Sequence, residues 1–248
     1  MKGANMDIKD KVVLITGASA GIGLAAAHLL WNEGAKLALN SRSADKLEKL
    51  SGELPGSEAL PADMGDEASV RGLVQDVVAK FGRLDILVNN AGRGMSGSLE
   101  AIDIEEYRRL VDLNIIGPLV AMQAAIPIMR KQGGGSIVNI SSGTTLMYAP
   151  GLSGYSATKR ALNGLSLTAR NELAKDEISV SVVYPYVTKS DFYENLISNE
   201  PRHRTVEEFV AGRAPADTSE YVAELIKTAI ISGEAEIFAH DWMKTSMK

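Results

Sequence analysis

Short apolar runs rich in β-branched residues alternate along this chain with longer segments of helical period, and no other feature narrows the possible folds so sharply. The runs at 11–16, 36–40 and 58–62 are each followed by a helical pattern, at 21–33, 44–54 and 67–81. The rhythm continues with runs at 84–89, 136–141 and 179–184, separated by a long helical stretch from about 104 to 131 and another near 153–175. A helix at 219–231 precedes a last run at 236–239, bringing the expected strands to seven. Strands joined through helices run parallel, and continuously apolar strands are covered on both faces. The pattern therefore predicts an α/β fold, a Rossmann-like doubly wound parallel sheet with helices on both faces. The 248 residues, 45% of them hydrophobic, suit a single domain over 1–248, and no linker or repeat divides it. Mixed charged and apolar residues at 189–217 read as an insert covering one end of the sheet.

A net charge of −5 offers no broad positive field to nucleic acid or an anionic membrane, so a small molecule is the expected partner. The absence of cysteine removes disulfides, thiolate catalysis and Cys-ligated zinc, and fits a reducing cytoplasm. His28, His203 and His240 are far apart in sequence, so no metal site is expected. The amino terminus lacks the apolar core of a secretory signal. The longest apolar stretch, 114–129, is short for a bilayer span and holds Gly117, Pro118 and Pro127, so a soluble protein is expected.

Directly after the first strand comes Thr16-Gly17-Ala18-Ser19-Ala20-Gly21-Ile22-Gly23, opening a helix. Strand, glycine turn and helix together form the setting in which backbone amides at a positive helix end meet a pyrophosphate. Gly17 permits a tight turn, Gly21 lets the amides approach, and Gly23 lets the helix pack close to the strand. The same glycines could serve packing alone. No Gly-Lys-Ser/Thr closes the loop, which excludes a phosphate-loop NTPase at this site.

Tyr155 and Lys159 are four apart in a helical pattern and share one face. A free phenol has a pKa of about 10, so a nearby cation is needed to make it a useful acid or base, and Lys159 is the candidate. A surface Tyr/Lys contact would look the same. Ser141 and Ser142 end a strand at the carboxyl edge where open α/β sheets bind ligands, although both could simply cap that strand. Asn114 lies in a helix four residues before Pro118, which has no N–H to give its carbonyl; the carbonyl is then free to hold a water, or the proline merely kinks a core helix.

With Asn89-Asn90-Ala91-Gly92 after the fourth strand, these motifs fall in the order and register of a known family. The chain resembles the short-chain dehydrogenases/reductases of ordinary length over nearly its whole extent: Thr16–Gly23, Asn89–Gly92, Asn114, Ser142 and Tyr155-x-x-x-Lys159 match in turn. The resemblance implies an oxidoreductase moving a hydride between a nicotinamide and a carbonyl/secondary alcohol pair. Tyr155 would trade the proton, Ser142 bond the substrate oxygen, Lys159 lower the tyrosine pKa and hold the ribose, and Asn114 hold a relay water. It also implies cofactor contacts from Gly17, Ser19, Gly21, Ile22 and Gly23, from Asn90, Ala91 and Gly92, and from Pro185, Thr188 and Ser190. Asp63 matches the family's adenine contact, with Met64 beside it, although Asp63 capping the next helix would be indistinguishable.

The second strand ends Asn40-Ser41-Arg42 without an acidic residue for a free ribose hydroxyl. Arg42 could pair with a 2′-phosphate instead, with Ser41 beside it as a further cofactor residue, or it could be an ordinary exposed loop residue; the pairing favours NADP(H) over NAD(H), although Ala20 stands where some relatives carry a second basic residue. Where the family usually has Pro-Gly, this chain has Pro185-Tyr186, so Tyr186 is expected to line the substrate pocket. Thr144, Leu146, Tyr148 and Phe192 are expected beside it, with Arg93, Met95, Leu152 and Tyr193 as further walls and Arg202, His203 and Arg204 as either an anion site or a solvated run. Such walls suit a mainly apolar substrate. The family also implies a homo-oligomer, a tetramer or dimer. A dinucleotide sensor or scaffold without turnover is the competing reading, and the intact Asn114, Ser142, Tyr155 and Lys159 set argues against it.

Overall fold

The computed structural model describes residues 6–198 and 214–245. Its main sheet has seven parallel strands in the order β3-β2-β1-β4-β6-β7-β9. These are β1 (Val12–Thr16), β2 (Lys36–Asn40), β3 (Glu58–Ala59), β4 (Ile86–Asn89), β6 (Gly135–Ile140), β7 (Ile178–Tyr184) and β9 (Glu236–Phe238). The chain starts in the middle, winds outward through β2 and β3, then crosses back to β4 and out to β9. The carboxyl ends of β1 and β4 therefore flank the crevice where the winding reverses.

Apolar side chains from alternate strand positions feed two separate layers, which is why the strands read as unbroken apolar runs. On one face Val13, Ile15, Leu37 and Val88 pack with α1 (Gly21–Asn32), α2 (Ala44–Glu53) and the helix Ser219–Ser232. On the other, Leu14, Leu87 and Ile137 meet α3 (Glu67–Phe81) and α5 (Gly117–Gln132).

Between α4 (Ile104–Val111) and α5 the helix continues unbroken as a π-turn over Asp112–Ile116, with the Gly117 N–H reaching the Asp112 carbonyl. The proline-driven disturbance expected near Asn114 thus takes the form of a wider turn. The run Ile104–Gln132 has 29 residues and a mean hydropathy of 1.5 in its most apolar window, long and apolar enough on those grounds to cross a bilayer. The stretch 114–129 therefore understated its length. Here α5 lays Val120, Ala121, Ala125 and Met129 into the second apolar layer.

The third strand is shorter than the expected 58–62. Beyond it Asn40 Nδ2 donates to the carbonyls of Leu60 and Ala62 at 3.0 and 3.2 Å, while the Leu60 and Ala62 amides still donate to the Leu39 and Ser41 carbonyls at 2.9 and 3.2 Å, so side-chain and backbone bonds share the connection there. A two-stranded parallel sheet, β5 (Met95–Ser96) with β8 (Ile197–Ser198), was not expected from the sequence. It ties the first part of the expected insert, 189–217, to the segment after β4. Residues 199–213 of that insert, including Arg202, His203 and Arg204, lie outside the described residues.

Gly23 shows how tightly α1 is seated. A Cβ there would stand 2.2 Å from the Gly17 carbonyl oxygen and 2.5 Å from Asn90 Nδ2. Gly72, inside α3, would meet nothing within 4 Å. Urea unfolding should therefore separate the two: Gly23→Ala destabilises by about 1–3 kcal/mol through overpacking, and Gly72→Ala stabilises by about 0.5–1 kcal/mol through helix entropy.

Candidate active site

One cavity of about 590 Å³ opens at the carboxyl edge of the sheet and collects residues from the loops that follow β1, β4, β6 and β7. At its inner end the glycine loop enters α1 with Gly17 and Gly21 at positive φ, and Ala20 at the N-cap has no side-chain cap. The first amides of α1 are thus left without a side-chain acceptor, as an anion site requires. Gly17, Gly21 and Ile22 line the cavity, as do Asn90, Ala91 and Gly92. Asn90 Nδ2 donates to the carbonyls of Thr16 and Gly17 at 2.9 and 3.2 Å, and the Asn90 and Ala91 amides both donate to Thr16 Oγ1 at 3.0 Å. Opposite Gly21 lies Ser190, close enough that a Cβ on Gly21 would be 3.2 Å from the Ser190 Cβ. Pro185, Thr188 and Ser190 all line the same space. These features fit a dinucleotide.

Of the other expected cofactor residues, Tyr155 and Lys159 line the same cavity, whereas Ser19, Gly23, Ser41, Arg42, Asp63 and Met64 stand outside it. Gly23 lies beneath the loop as packing, and Ser19 does not line the space. The Ala18 amide donates to the Asn40 carbonyl at 2.8 Å, so Ser41 and Arg42 sit beside the glycine loop. Ser41 Oγ accepts from the Ser43 amide, while Arg42 is exposed and has no ion pair among the described residues. Asp63 accepts from the Gly65 amide at 2.8 Å, and the cap of α3 is Asp66, which accepts from Ser69. The Met64 carbonyl is turned against Gly117, whose absent Cβ would be 2.1 Å away.

Tyr155 and Lys159 come from α6 (Ser153–Leu173), and both are buried. Lys159 Nζ donates to the Ile140 carbonyl at the end of β6, at 2.8 Å, and burial lowers its pKa to about 8. The Tyr155 phenol is pushed up to about 12, chiefly by burial, with its hydrogen bond to Ser142 drawing it back. Lys159 was expected to acidify the phenol. In the ligand-free protein burial outweighs any such pull, and the ammonium is directed at the β6 carbonyl. Tyr155 also packs its ring on Phe192, centroids 5.6 Å apart.

Ser142 combines two roles that the sequence could not separate. It caps the short turn Gly143–Leu146 by accepting from the Thr144 amide at 3.2 Å, and its hydroxyl also faces Tyr155. The Ser141 hydroxyl is buried and has no hydrogen-bond partner among the described residues. Asn114 acts visibly through its side chain: Oδ1 accepts from the Arg93 amide at 3.0 Å, and Nδ2 donates to the Arg93 carbonyl and to Thr158 Oγ1 at 2.9 and 3.1 Å. It thereby links the segment after β4 to α6.

Thr144, Tyr148, Tyr186 and Phe192 line the cavity as expected, joined by Arg93, Leu152 and Tyr193. Two expected walls do not. Leu146 turns into the cluster of Tyr184, Tyr186, Ala239 and Met243, and Met95 packs behind Tyr155 with Leu110. Tyr186 is buried, its ring set edge-on to His240 and Trp242, while its carbonyl accepts from Thr188 Oγ1 at 2.9 Å. Sequence reasoning missed the Ile140 carbonyl, Thr158 and Asn195, whose carbonyl accepts from Arg93 Nε at 2.8 Å. Backbone acceptors leave no mark on residue identity, so no sequence signal pointed to two of these.

The short chain dehydrogenase family model matches residues 11–201. An uncharacterized oxidoreductase of Methylorubrum extorquens is 38% identical over 88% of this chain and 91% of its own. A 3alpha-hydroxysteroid dehydrogenase of Mediterraneibacter gnavus is 37% identical over 77% of this chain and 79% of its own. Among solved structures, the 3-ketoacyl-(acyl-carrier-protein) reductase from Brucella melitensis, complexed with NADH, superposes with a TM-score of 0.84 at 27% identity, covering 93% of this chain and 97% of that one. A short-chain dehydrogenase from Streptomyces avermitilis gives 0.85 at 31% identity, covering 96% and 91%. The chain belongs to the short-chain dehydrogenase family of oxidoreductases.

Proposed function

We propose that this oxidoreductase interconverts a carbonyl compound and a secondary alcohol, with NADP(H) preferred over NAD(H) and Tyr155 as the proton-transferring group. The observation that carries the reading is the convergence of buried Tyr155 and Lys159 with half-buried Ser142 in the same cavity as an uncapped glycine loop. A protein that only sensed a dinucleotide would have no use for a buried phenol bonded to a serine.

A nicotinamide cofactor held by the glycine loop and the residues after β4 and β7 would supply or accept the hydride at the substrate carbon. In reduction, Tyr155 Oη gives its proton to the substrate oxygen while Ser142 Oγ donates a hydrogen bond to the same atom, so that the developing alkoxide meets two fixed donors. A phenol held near 12 by burial is fully protonated at neutral pH, which suits donation. Oxidation needs the phenolate, and a cation near the phenol favours it. Lys159 lies one helical turn along α6 and is the residue for that task. Asn114 holds the Arg93 backbone and α6 in register around it. Thr144, Tyr148, Tyr186 and Phe192 present a mainly apolar wall with few polar anchors, which suits a mainly apolar ketone or alcohol. At the far end, Arg42, which has no ion pair among the described residues, stands beside the glycine loop and suits a 2′-phosphate.

NADPH oxidation followed at 340 nm against a panel of ketones tests the whole reading. Tyr155→Phe should lower kcat by about 100-fold or more. Tight NADPH binding with no ketone consumed by the unaltered protein would favour the silent sensor or scaffold. For Arg42→Ala, the Kd for NADPH should rise about tenfold, with that for NADH within twofold, as loss of one charge-assisted contact implies.

Two pH effects follow from burial. The phenolate fraction grows about tenfold per pH unit below its pKa, so alcohol oxidation should climb with pH above neutrality while ketone reduction does not. For Lys159 the folded pKa, about 8, lies below the unfolded value of 10.5. The folded state thus binds fewer protons between the two, and stability rises with pH across that window. At pH 7 the full burial cost is present, so Lys159→Met should match or exceed the wild-type thermal midpoint while losing most of its turnover. The difference in midpoint should shrink by pH 10.

A further inference from the structure

The loop after β6 carries one side-chain bond that its own folding does not require. Ser142 caps the turn Gly143–Leu146 through the Thr144 amide, and that single acceptance completes the cap. Thr144 adds a second contact: its Oγ1 donates to Ser142 Oγ at 3.0 Å. Ser142 is the only partner of that Thr144 hydroxyl among the described residues.

Building on the carbonyl-reduction reading above, we propose that Thr144 is a positioning residue that aims the Ser142 proton at the reacting oxygen. A serine hydroxyl has two lone pairs and one hydrogen. With both lone pairs occupied by the amide and hydroxyl of Thr144, only the hydrogen of Ser142 remains to be placed, and Ser142 faces Tyr155 and the cavity. Hydroxyls bonded in series polarise one another, so the Thr144 proton also makes Ser142 the stronger donor. The remaining bonds show that Thr144 is not needed to hold the loop. The Gly143 amide donates to the Pro185 carbonyl at 2.8 Å, and Thr145 donates to the Ser142 carbonyl through its amide and its hydroxyl at 3.1 and 2.8 Å. Arg160 Nε and Nη2 grip the carbonyls of Thr145 and Met147 at 3.1 and 2.6 Å. A valine at 144 would keep the shape, the β-branch and the capping amide, and lose the γ-hydroxyl alone.

The test is steady-state kinetics with NADPH and the ketone consumed fastest in the panel, on Thr144→Val, Thr144→Ser, Ser142→Ala and the Ser142→Ala/Thr144→Val pair. Thr144→Val should lower kcat about fivefold, the worth of one hydrogen bond, with KM within twofold. Thr144→Ser should recover kcat to within twofold. With Ser142 already alanine, Thr144→Val should cost nothing more, because the hydroxyl acts only through that serine. Thr144→Val at full kcat, a change confined to KM, or an undiminished loss in the Ser142→Ala background would each overturn the assignment; the KM result would make Thr144 a plain wall of the pocket. If Thr144→Val unfolds below the assay temperature, Thr144→Ala takes its place with the same expectations. Ser142→Ala at full speed, or no ketone consumed by the unaltered protein, would instead remove the carbonyl-reduction reading itself. A slow Ser142→Ala beside a fast Thr144→Val removes only the role of Thr144.

Discussion

The missing Cβ at Gly23 is the constraint on which the site rests. It lets α1 come so close that Asn90 Nδ2 can span the carbonyls of Thr16 and Gly17, while Thr16 Oγ1 takes the amides of Asn90 and Ala91 in return. The ends of β1 and β4 are locked by this exchange. The lock fixes the course of the chain through Gly92 to Arg93, whose backbone is bracketed by Asn114, and Asn114 reaches on to Thr158 in α6. An unbroken path of short polar contacts thus runs from the glycine loop to the helix bearing Tyr155 and Lys159. Supported on rigid elements in this way, reactive groups keep their geometry before any ligand arrives.

Burial sets the chemical state of those groups. A phenol and an ammonium have been withdrawn from water on adjacent turns of α6, and each is displaced towards its neutral form. Two apolar layers on opposite faces of the sheet supply the stability that such placement consumes. The ammonium is retained by one strong acceptor, the Ile140 carbonyl at the mouth of β6. The arrangement holds a protonated acid in place and leaves the basic form to be drawn out by added positive charge.

Much of the fold was legible because each strand is buried on both sides and each helix follows a glycine or polar break. The seven-stranded sheet follows from that alternation. The motif residues were legible for a different reason: at Gly17, Gly21 and Tyr155 only one residue type serves the chemistry. What could not be read depends on backbone groups and on distant partners. Lys159 meets a carbonyl that any residue at 140 would supply. β8 exists only because it pairs with Met95 and Ser96, about a hundred positions earlier in the chain. Leu146 and Met95 were expected at the cavity, yet an apolar side chain at a loop carries no sign of which side it faces. Tyr186 was legible as a departure but not in its outcome, since the rings of His240 and Trp242 that frame it come from the end of the chain.

The π-turn at Asp112–Ile116 carries an implication for how such a chain can vary over time. Each residue of an α-helix advances it by about 100°, so removing one position from this wider turn would rotate everything after it. Val120, Ala121, Ala125 and Met129 would swing from the apolar layer towards solvent, while Asn114 stayed anchored to Arg93. Substitutions here, Asn114 apart, are local events, whereas a single insertion or deletion is felt along the whole of α5. Lineages descending from this sequence should therefore keep Asn114 and the length of 112–116 while its other positions drift in composition.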